Sequence, residues 1–343
     1  MRVLIATAQM PFIAGGAELL ATGLRRALAE AGHQVDTIAL PFRQWPPEEV
    51  MRGMEAWAAQ RLTQVDSGEV ERLICLKFPA YYAPHPAKVA WLTHQFRPVD
   101  DLWHQSGFQQ HPAAWALRWE LVTRERQHLS ECRHLFTVSR TVSTRLLVSC
   151  SLPSTPLLPP APWEGSYWWA PAEPYIFIPS RLEGHKRQHL LIEALCHTRP
   201  SLLAVVTGEG GARERLVRLV DELGLQSRVR FLGHVPLREQ LALYASCLAV
   251  GFAPLGEDYG FITAEAMLSA KPVVTCSDSG GPVELVIHDE TGFVADPDPV
   301  AVGAALDRLA GAPELATQMG RAGLERYRHL AIGWPDVVSQ LLS

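Results

Sequence analysis

Short apolar runs recur along the chain, separated by stretches in which apolar residues return every third or fourth position. The first run, residues 3–7, predicts a buried parallel strand. Residues 8–16 then form a loop ending in Gly15-Gly16. Leu19, Leu20, Leu24, Ala27 and Leu28 fall on one helical face, with Gly32 as the C-terminal stop. Residues 34–40 predict the next strand. The result is a βαβ unit with a glycine turn at the C-terminal end of its first strand, where an open α/β sheet has its ligand crevice. Further strands are expected at residues 72–77, 88–93 and 134–138, with Ser139 capping the helix that follows. A long helix is expected at 112–130, its Trp115, Leu117, Trp119, Leu121 and Val122 read as core and helix packing.

Residues 151–174 interrupt this rhythm. Pro153, Pro156, Pro159, Pro160, Pro162, Pro171 and Pro174 exclude regular structure through most of the segment, which also carries Trp163, Trp168 and Trp169. It reads as an interdomain crossover with the boundary near residue 165. The alternation then restarts. Strands are expected at 175–179, 202–206, 229–232, 248–252, 272–276 and 291–295. Between them lie a helix bearing Leu190, Leu191, Ile192, Ala194 and Leu195, and another at 236–246 with Pro236 near its first position. The fold class is therefore α/β, with two Rossmann-like, doubly wound domains that repeat each other in architecture and not in sequence.

Composition narrows the field. A chain of 343 residues, 48% hydrophobic and 20% charged, suits two soluble domains with real cores. A net charge of −5 and a pI near 6.2 argue against a nucleic-acid partner. The six cysteines are scattered with no C-x-x-C pair, as expected for buried, reduced thiols in a cytoplasmic protein. The N-terminal apolar run is too short for a signal peptide, and no run approaches the roughly eighteen residues of a membrane span. The ten tryptophans leave room for peripheral contact with the inner face of a membrane. Oligomeric state is left open.

The candidate chemistry centres on residues 254–271. A strand runs into a turn with Pro254 and Gly256, then Glu257, Asp258, Gly260 and a small-residue helix containing Glu265. The two glycines place Glu257 in the loop and Glu265 inside the helix. The amides of Gly260, Phe261 and Ile262 then lie at a helix N-terminus, where an anion binds well. Arg181 and Lys186, five apart in a loop at a strand end, suit clamping a diphosphate; the alternative is a solubilising basic loop. Arg187 is as well explained by solvent. Thr207-Gly208-Glu209-Gly210-Gly211 is a second glycine turn opening a helix, without the full Gly-x-Gly-x-x-Gly pattern. The backbone of residues 229–232, ending at Leu232, is placed to read a base edge. His94 falls just past the strand at 88–93, where a polar loop residue and a catalytic histidine are both admissible.

Glu-x7-Glu, followed by Ala-Met-x-x-x-Lys-Pro-Val-Val and then Ser279-Gly280-Gly281-Pro282-Val283-Glu284, resembles the nucleotide-sugar end of family-4 retaining glycosyltransferases (glycosyl transferases group 1) with the GT-B fold. Ser-Arg-x4-Lys-Arg before a Leu-Ile-Glu-Ala helix is similar to that family's pyrophosphate loop. The resemblance implies two facing domains, 1–165 on the acceptor side and 166–325 holding the donor, with residues 326–343 returning to the first. It implies that Arg181, Lys186 and the amides of Gly260, Phe261 and Ile262 hold the diphosphate, that Glu257 and His94 hold donor-sugar hydroxyls, and that Glu265 holds the ribose. Gly15, Gly16, Gly208, Glu209 and Leu232 border the nucleotide. The loops at 10–14, 78–86 and 95–111 face the acceptor. The expected reaction moves a sugar from a nucleotide-diphosphate donor, UDP- or GDP-linked, to a hydroxyl of a carbohydrate or lipid-linked acceptor. Retention of the anomer is expected, with no cofactor and no metal. A nucleotide-sugar epimerase on the same fold and a non-catalytic binding protein are the alternatives.

Overall fold

The computed structural model describes residues 1–12 and 15–343 and separates into two compact units. Residues 1–160 and 333–343 form the first, and residues 161–332 the second. These divisions replace the ones at 165 and 325 expected from the sequence. Residues 13 and 14, part of the loop expected at 10–14, lie outside the described residues.

The first unit is built from β1 (Arg2–Gln9), α1 (Gly16–Glu30), β2 (Gln34–Pro41), α2 (Pro47–Ala58), the short antiparallel pair β3 (Gln64–Val65) and β4 (Gly68–Glu69), β5 (Arg72–Cys75), β6 (Lys88–Leu92), α3 (Pro112–Ser130), β7 (His134–Thr137), α4 (Arg140–Cys150) and β8 (Thr155–Pro156). Its main sheet is parallel, in the order β2-β1-β5-β6-β7-β8. Every residue of β5 and β6 is buried, because helices cover both faces of the sheet. β2 alternates instead, since it is the edge strand. β8 ends the sheet on a proline, which only an edge tolerates. Ser139 caps α4, its Oγ accepting from the Val142 N–H at 3.1 Å.

The second unit contains β9 (Tyr175–Pro179), α5 (Gln188–Ala194), β10 (Leu203–Thr207), α6 (Arg213–Glu222), β11 (Val229–Gly233), α7 (Leu237–Ser246), β12 (Ala249–Gly251), α8 (Phe261–Leu268), β13 (Val273–Cys276), α9 (Gly281–Leu285), β14 (Gly292–Ala295), α10 (Pro299–Gly311) and α11 (Pro313–His329). The order is β11-β10-β9-β12-β13-β14, all parallel. The strand order reverses between β9 and β12, so the loops after those two strands flank the crevice where such sheets take ligands. The apolar face expected of α5 is the one that packs into the core, with Leu191, Ile192, Ala194 and Leu195 fully sealed. The last helix, α12 (Trp334–Leu342), belongs to the first unit.

Three expectations need correction. Leu19 is exposed, and the inner face of α1 is Leu20, Ala21, Leu24, Ala27 and Leu28. Pro236 is the residue before α7 rather than its first helical position. Trp115, Trp119 and Val122 are not core. They stand out into solvent, while Ala114, Leu117, Leu121 and Leu129 form the buried face of α3. Four of the six free cysteines are buried, and Cys196 is exposed. No helix among the described residues is long and apolar enough to cross a membrane.

Candidate functional site

In the second unit the crevice at the order reversal is bounded by residues 180–187 after β9 and residues 252–260 after β12. The two loops are tied together. Lys186 Nζ donates to Glu257 Oε2 at 2.6 Å, both side chains largely shielded. The same ammonium stands 5.8 Å from the centre of the Phe252 ring. The Leu255 N–H donates to the His185 carbonyl at 2.7 Å. Arg187 contributes most. Its guanidinium forks onto Asp278 at 2.6 and 2.8 Å and also donates to the carbonyls of Ala253 and Pro254. Arg187 is thus a structural clamp, contrary to the solvent-facing alternative. A planar five-donor cation is the side chain suited to join one carboxylate and two carbonyls.

The third wall is the turn at 278–281. Glu257 and Gly280 pair as an isolated parallel bridge, and the Glu257 N–H donates to the Ser279 carbonyl at 2.8 Å. A Cβ on Gly281 would come within 2.5 Å of the Tyr259 carbonyl oxygen, so only glycine permits this approach. Gly260, at φ +81°, immediately precedes α8. The amides of Phe261 and Ile262 come before the first helical hydrogen bond, from the Thr263 N–H to the Gly260 carbonyl at 2.9 Å. Their N–H groups and the helix dipole make this end electropositive.

Glu265 lies deeper, 5% exposed, on α8. The Tyr244 hydroxyl donates to its Oε2 at 2.6 Å. Burial pushes its carboxyl up to about 7, against the opposing pull of that hydrogen bond. Arg181 is more open; its guanidinium lies 3.9 Å from Glu183. Its loop is fixed by Gln188, buried at the start of α5, whose Nε2 donates to Ser180 Oγ at 2.6 Å and to the Arg181 carbonyl at 2.8 Å. The Gly208–Gly210 turn packs directly on the same loop. A Cβ on Gly208 would sit 2.0 Å from the Ser180 carbonyl oxygen, and one on Gly210 2.4 Å from that of Leu182. The Gly208 N–H donates to the Gly233 carbonyl at 2.8 Å, which ties this turn to the end of β11. Glu209 and Leu232 are both exposed beside it.

In the first unit, Gly15 precedes α1 and Gly16 is its first residue. Glu18 organises this end: Oε2 accepts from the Gly15 N–H at 2.9 Å and Oε1 from Lys77 Nζ at 2.7 Å. Lys77 is 7% exposed and follows β5, so the pair spans the order reversal of that sheet, between β1 and β5. A Cβ at Gly15 would meet nothing closer than Glu18 Oε2 at 3.6 Å. The fold therefore does not demand glycine there. His94 lies just past β6, its Nδ1 2.7 Å from the Gln95 carbonyl. Gln95 anchors that loop inward, donating to Glu125 Oε2 at 2.8 Å and to Ser149 Oγ at 2.9 Å.

Arg181, Lys186, Glu257, Gly260, Phe261, Ile262 and Glu265 all belong to the elements around one crevice, and Gly208, Glu209 and Leu232 border its β10–β11 side. His94, Gly15 and Gly16 stand at the corresponding strand ends of the first unit. The sequence reading missed Arg187, Asp278 and Gln188 as supports of the crevice, and Glu18 and Lys77 as supports of the first glycine turn. The one local signal for Lys77 and Gln188 was a polar residue two positions past a strand and another at the first position of a helix.

Residues 166–326 match the family described as Glycosyl transferases group 1. The chain is 31% identical over 165 residues to the alpha-1,3/1,6-mannosyltransferase ALG2 of Homo sapiens, covering 43% of this chain and 39% of that protein. It thus spans well under half the length of this curated relative. Among solved structures it resembles the sucrose-phosphate synthase of Thermosynechococcus elongatus, with a TM-score of 0.78, 19% identity and coverage of 98% and 97% of the two chains. It also resembles HepE of Anabaena, solved in complex with UDP-glucose, with a TM-score of 0.68, 18% identity and coverage of 99% and 98%. At these identities the structural likenesses speak for the fold alone. The fold is that of GT-B glycosyltransferases, and residues 166–326 match the glycosyl transferases group 1 family.

Proposed function

We propose that this chain transfers a sugar from a nucleotide-diphosphate sugar to an acceptor hydroxyl with retention of the anomer, without a metal ion. The observation that carries the reading is the Lys186–Glu257 pair at the mouth of the β9–β12 crevice, next to the N-terminus of α8. A cation, a helix N-terminus and a carboxylate so arranged suit two phosphates and a sugar. Support also comes from the relatives: ALG2 is a mannosyltransferase, and HepE was solved with UDP-glucose.

In this reading Lys186, Arg181 and the amides at the start of α8 take the diphosphate. Glu257 accepts from donor-sugar hydroxyls and Glu265 from the ribose. The bond from the anomeric carbon to the phosphate oxygen breaks, and the acceptor oxygen bonds to that carbon on the same face. The acceptor's proton passes to the departing phosphate. Stabilising that leaving group is the main catalytic task, since its charge grows in the transition state. The cationic side chains supply the charge that Mg²⁺ brings in other transferases.

The test is nucleotide release from UDP- and GDP-sugars with and without acceptor, in buffer containing EDTA, with the anomer of the product read by NMR. Lys186→Ala should lower kcat by on the order of 10²-fold or more. Undiminished turnover in that variant removes Lys186 from the reaction. Inactivity with EDTA that Mg²⁺ or Mn²⁺ restores defeats the metal-free reading. Conversion of donor to an isomer without acceptor replaces transfer with epimerisation.

A further inference from the structure

The helix α3 (Pro112–Ser130) is apolar on two sides. Leu117, Leu121 and Leu129 face the core of the first unit, as a parallel-sheet protein requires. Trp115, 60% exposed, Trp119, 79% exposed, and Val122, 38% exposed, face solvent. Spacings of four and three residues put them on one stripe. At the N-terminal end of that stripe Trp45, 52% exposed, packs its ring 5.1 Å from that of His111. Trp115 is held from beneath by Trp103 at 4.9 Å, and the Arg118 guanidinium stacks over Trp103 at 4.8 Å. A single exposed apolar residue needs no explanation, but a row of three tryptophans does.

The charges on the stripe itself are cationic. Arg126 continues the stripe four residues after Val122, and Arg118 stands at its margin. The stripe itself, positions 111, 115, 119, 122 and 126, has no carboxylate. The flanking acids Glu55 and Glu120 are both paired with Arg124, at 2.6 and 3.3 Å. Tryptophan combines a large apolar ring with an N–H and is suited to the boundary between acyl chains and headgroups. Arginine at the same level pairs with phosphates.

We propose that this face of α3, with Trp45, docks the first unit onto an anionic lipid surface. The tryptophans insert at headgroup depth and Arg118 and Arg126 meet the lipid phosphates. The chain carries a net charge of −5, so a uniformly acidic contact would be repelled and this cationic, aromatic face sets the orientation. The inference does not depend on the transfer reaction, and its test needs no turnover.

The experiment is co-sedimentation of the full chain with vesicles of phosphatidylglycerol and phosphatidylcholine, and with pure phosphatidylcholine. The wild type should pellet with the anionic vesicles and less with the neutral ones, and high salt should weaken it. The double substitution Trp115→Ser/Trp119→Ser should lower the apparent partition coefficient by about tenfold or more, with an unchanged thermal melt. Arg126→Glu, an exposed single change, should weaken binding to anionic vesicles and leave the neutral ones unaffected. Equal pelleting of wild type and variants overturns the proposal, and so does equal binding to both vesicle types. A wild type that dimerises in solution through this face, ignores vesicles and becomes monomeric in the tryptophan variant also overturns it, in favour of a second copy as the occupant.

Discussion

Two carboxyls, Glu125 in the first unit and Glu265 in the second, are sealed from water, and burial pushes each up to about 7. Glu125 accepts hydrogen bonds from the Tyr81 hydroxyl and from Gln95, but desolvation outweighs them. A folded value above the unfolded one means that the native carboxyl keeps a proton the unfolded chain has lost. Stability supplied by such a group is complete below the unfolded value near 4.5 and declines as pH rises to about 7. Wild type should therefore lose midpoint temperature relative to Glu125→Gln between those limits, and parallel melting profiles would refute this. For Glu265 the consequence is on binding. If ribose hydroxyls donate to its carboxylate, nucleotide affinity should rise about tenfold from pH 6 to pH 8, following ionisation near 7. Calorimetry on Glu265→Gln should give a flat profile; a wild-type affinity independent of pH would exclude the ribose role. The spacing of Glu257 and Glu265 was legible in the sequence. The perturbation of Glu265 was not, because it comes from burial that exists only in the packed fold, and the hydroxyl that opposes it belongs to Tyr244, 21 residues away.

Elements decide where these side chains sit, and here the glycines are informative. Gly208, at φ +107°, lets the end of β10 lie on the loop that bears Arg181. Alanine there is strained in backbone and would collide with the Ser180 carbonyl, so Gly208→Ala should cost on the order of 2 kcal/mol or more in a urea titration. A midpoint equal to that of wild type would show that the two loops are not in contact. The sequence displayed this turn and the strands around it, because apolar runs and glycine punctuation are local signals. It also displayed α2 without its being read: Val50, Met54 and Trp57 fall on one helical face behind Pro46 and Pro47. The clamp of Arg187 on Asp278 was beyond reach, since 91 residues separate partners that meet only because β9, β12 and β13 lie side by side in the sheet. The exposed face of α3 misled for a related reason. An apolar residue at helical spacing reads the same whether the protein's own sheet or something else lies opposite.

At the scale of the whole chain, the first unit is closed by residues that arrive last. The chain leaves that unit at residue 160 and returns at 333, and α12 then packs Val337, Val338 and Leu341 out of solvent. Trp334 lies over Gly23 of α1, so close that a Cβ there would stand 2.4 Å from its ring, and it meets Trp91 edge to face at 6.3 Å. Arg72, 5% exposed at the start of β5, donates to the carbonyls of Leu342 and Ser343 at 2.8 and 3.0 Å. The family resemblance implied a helix over Trp334-Pro335 and residues 337–342 that returns to the first unit; its seat depends on a glycine about three hundred residues earlier. Filling that seat should act on the first unit alone. Gly23→Val forces Trp334 aside and breaks the fit of α12, at a cost of about 1–3 kcal/mol for an overpacked contact. Because the core of the second unit is built from its own strands and helices, calorimetry on this variant should show the heat absorption of one unit moved to lower temperature while the other stays in place. A single transition that shifts as a whole would mean that the two units melt as one cooperative body, and an unshifted trace would mean that α12 contributes nothing to the first.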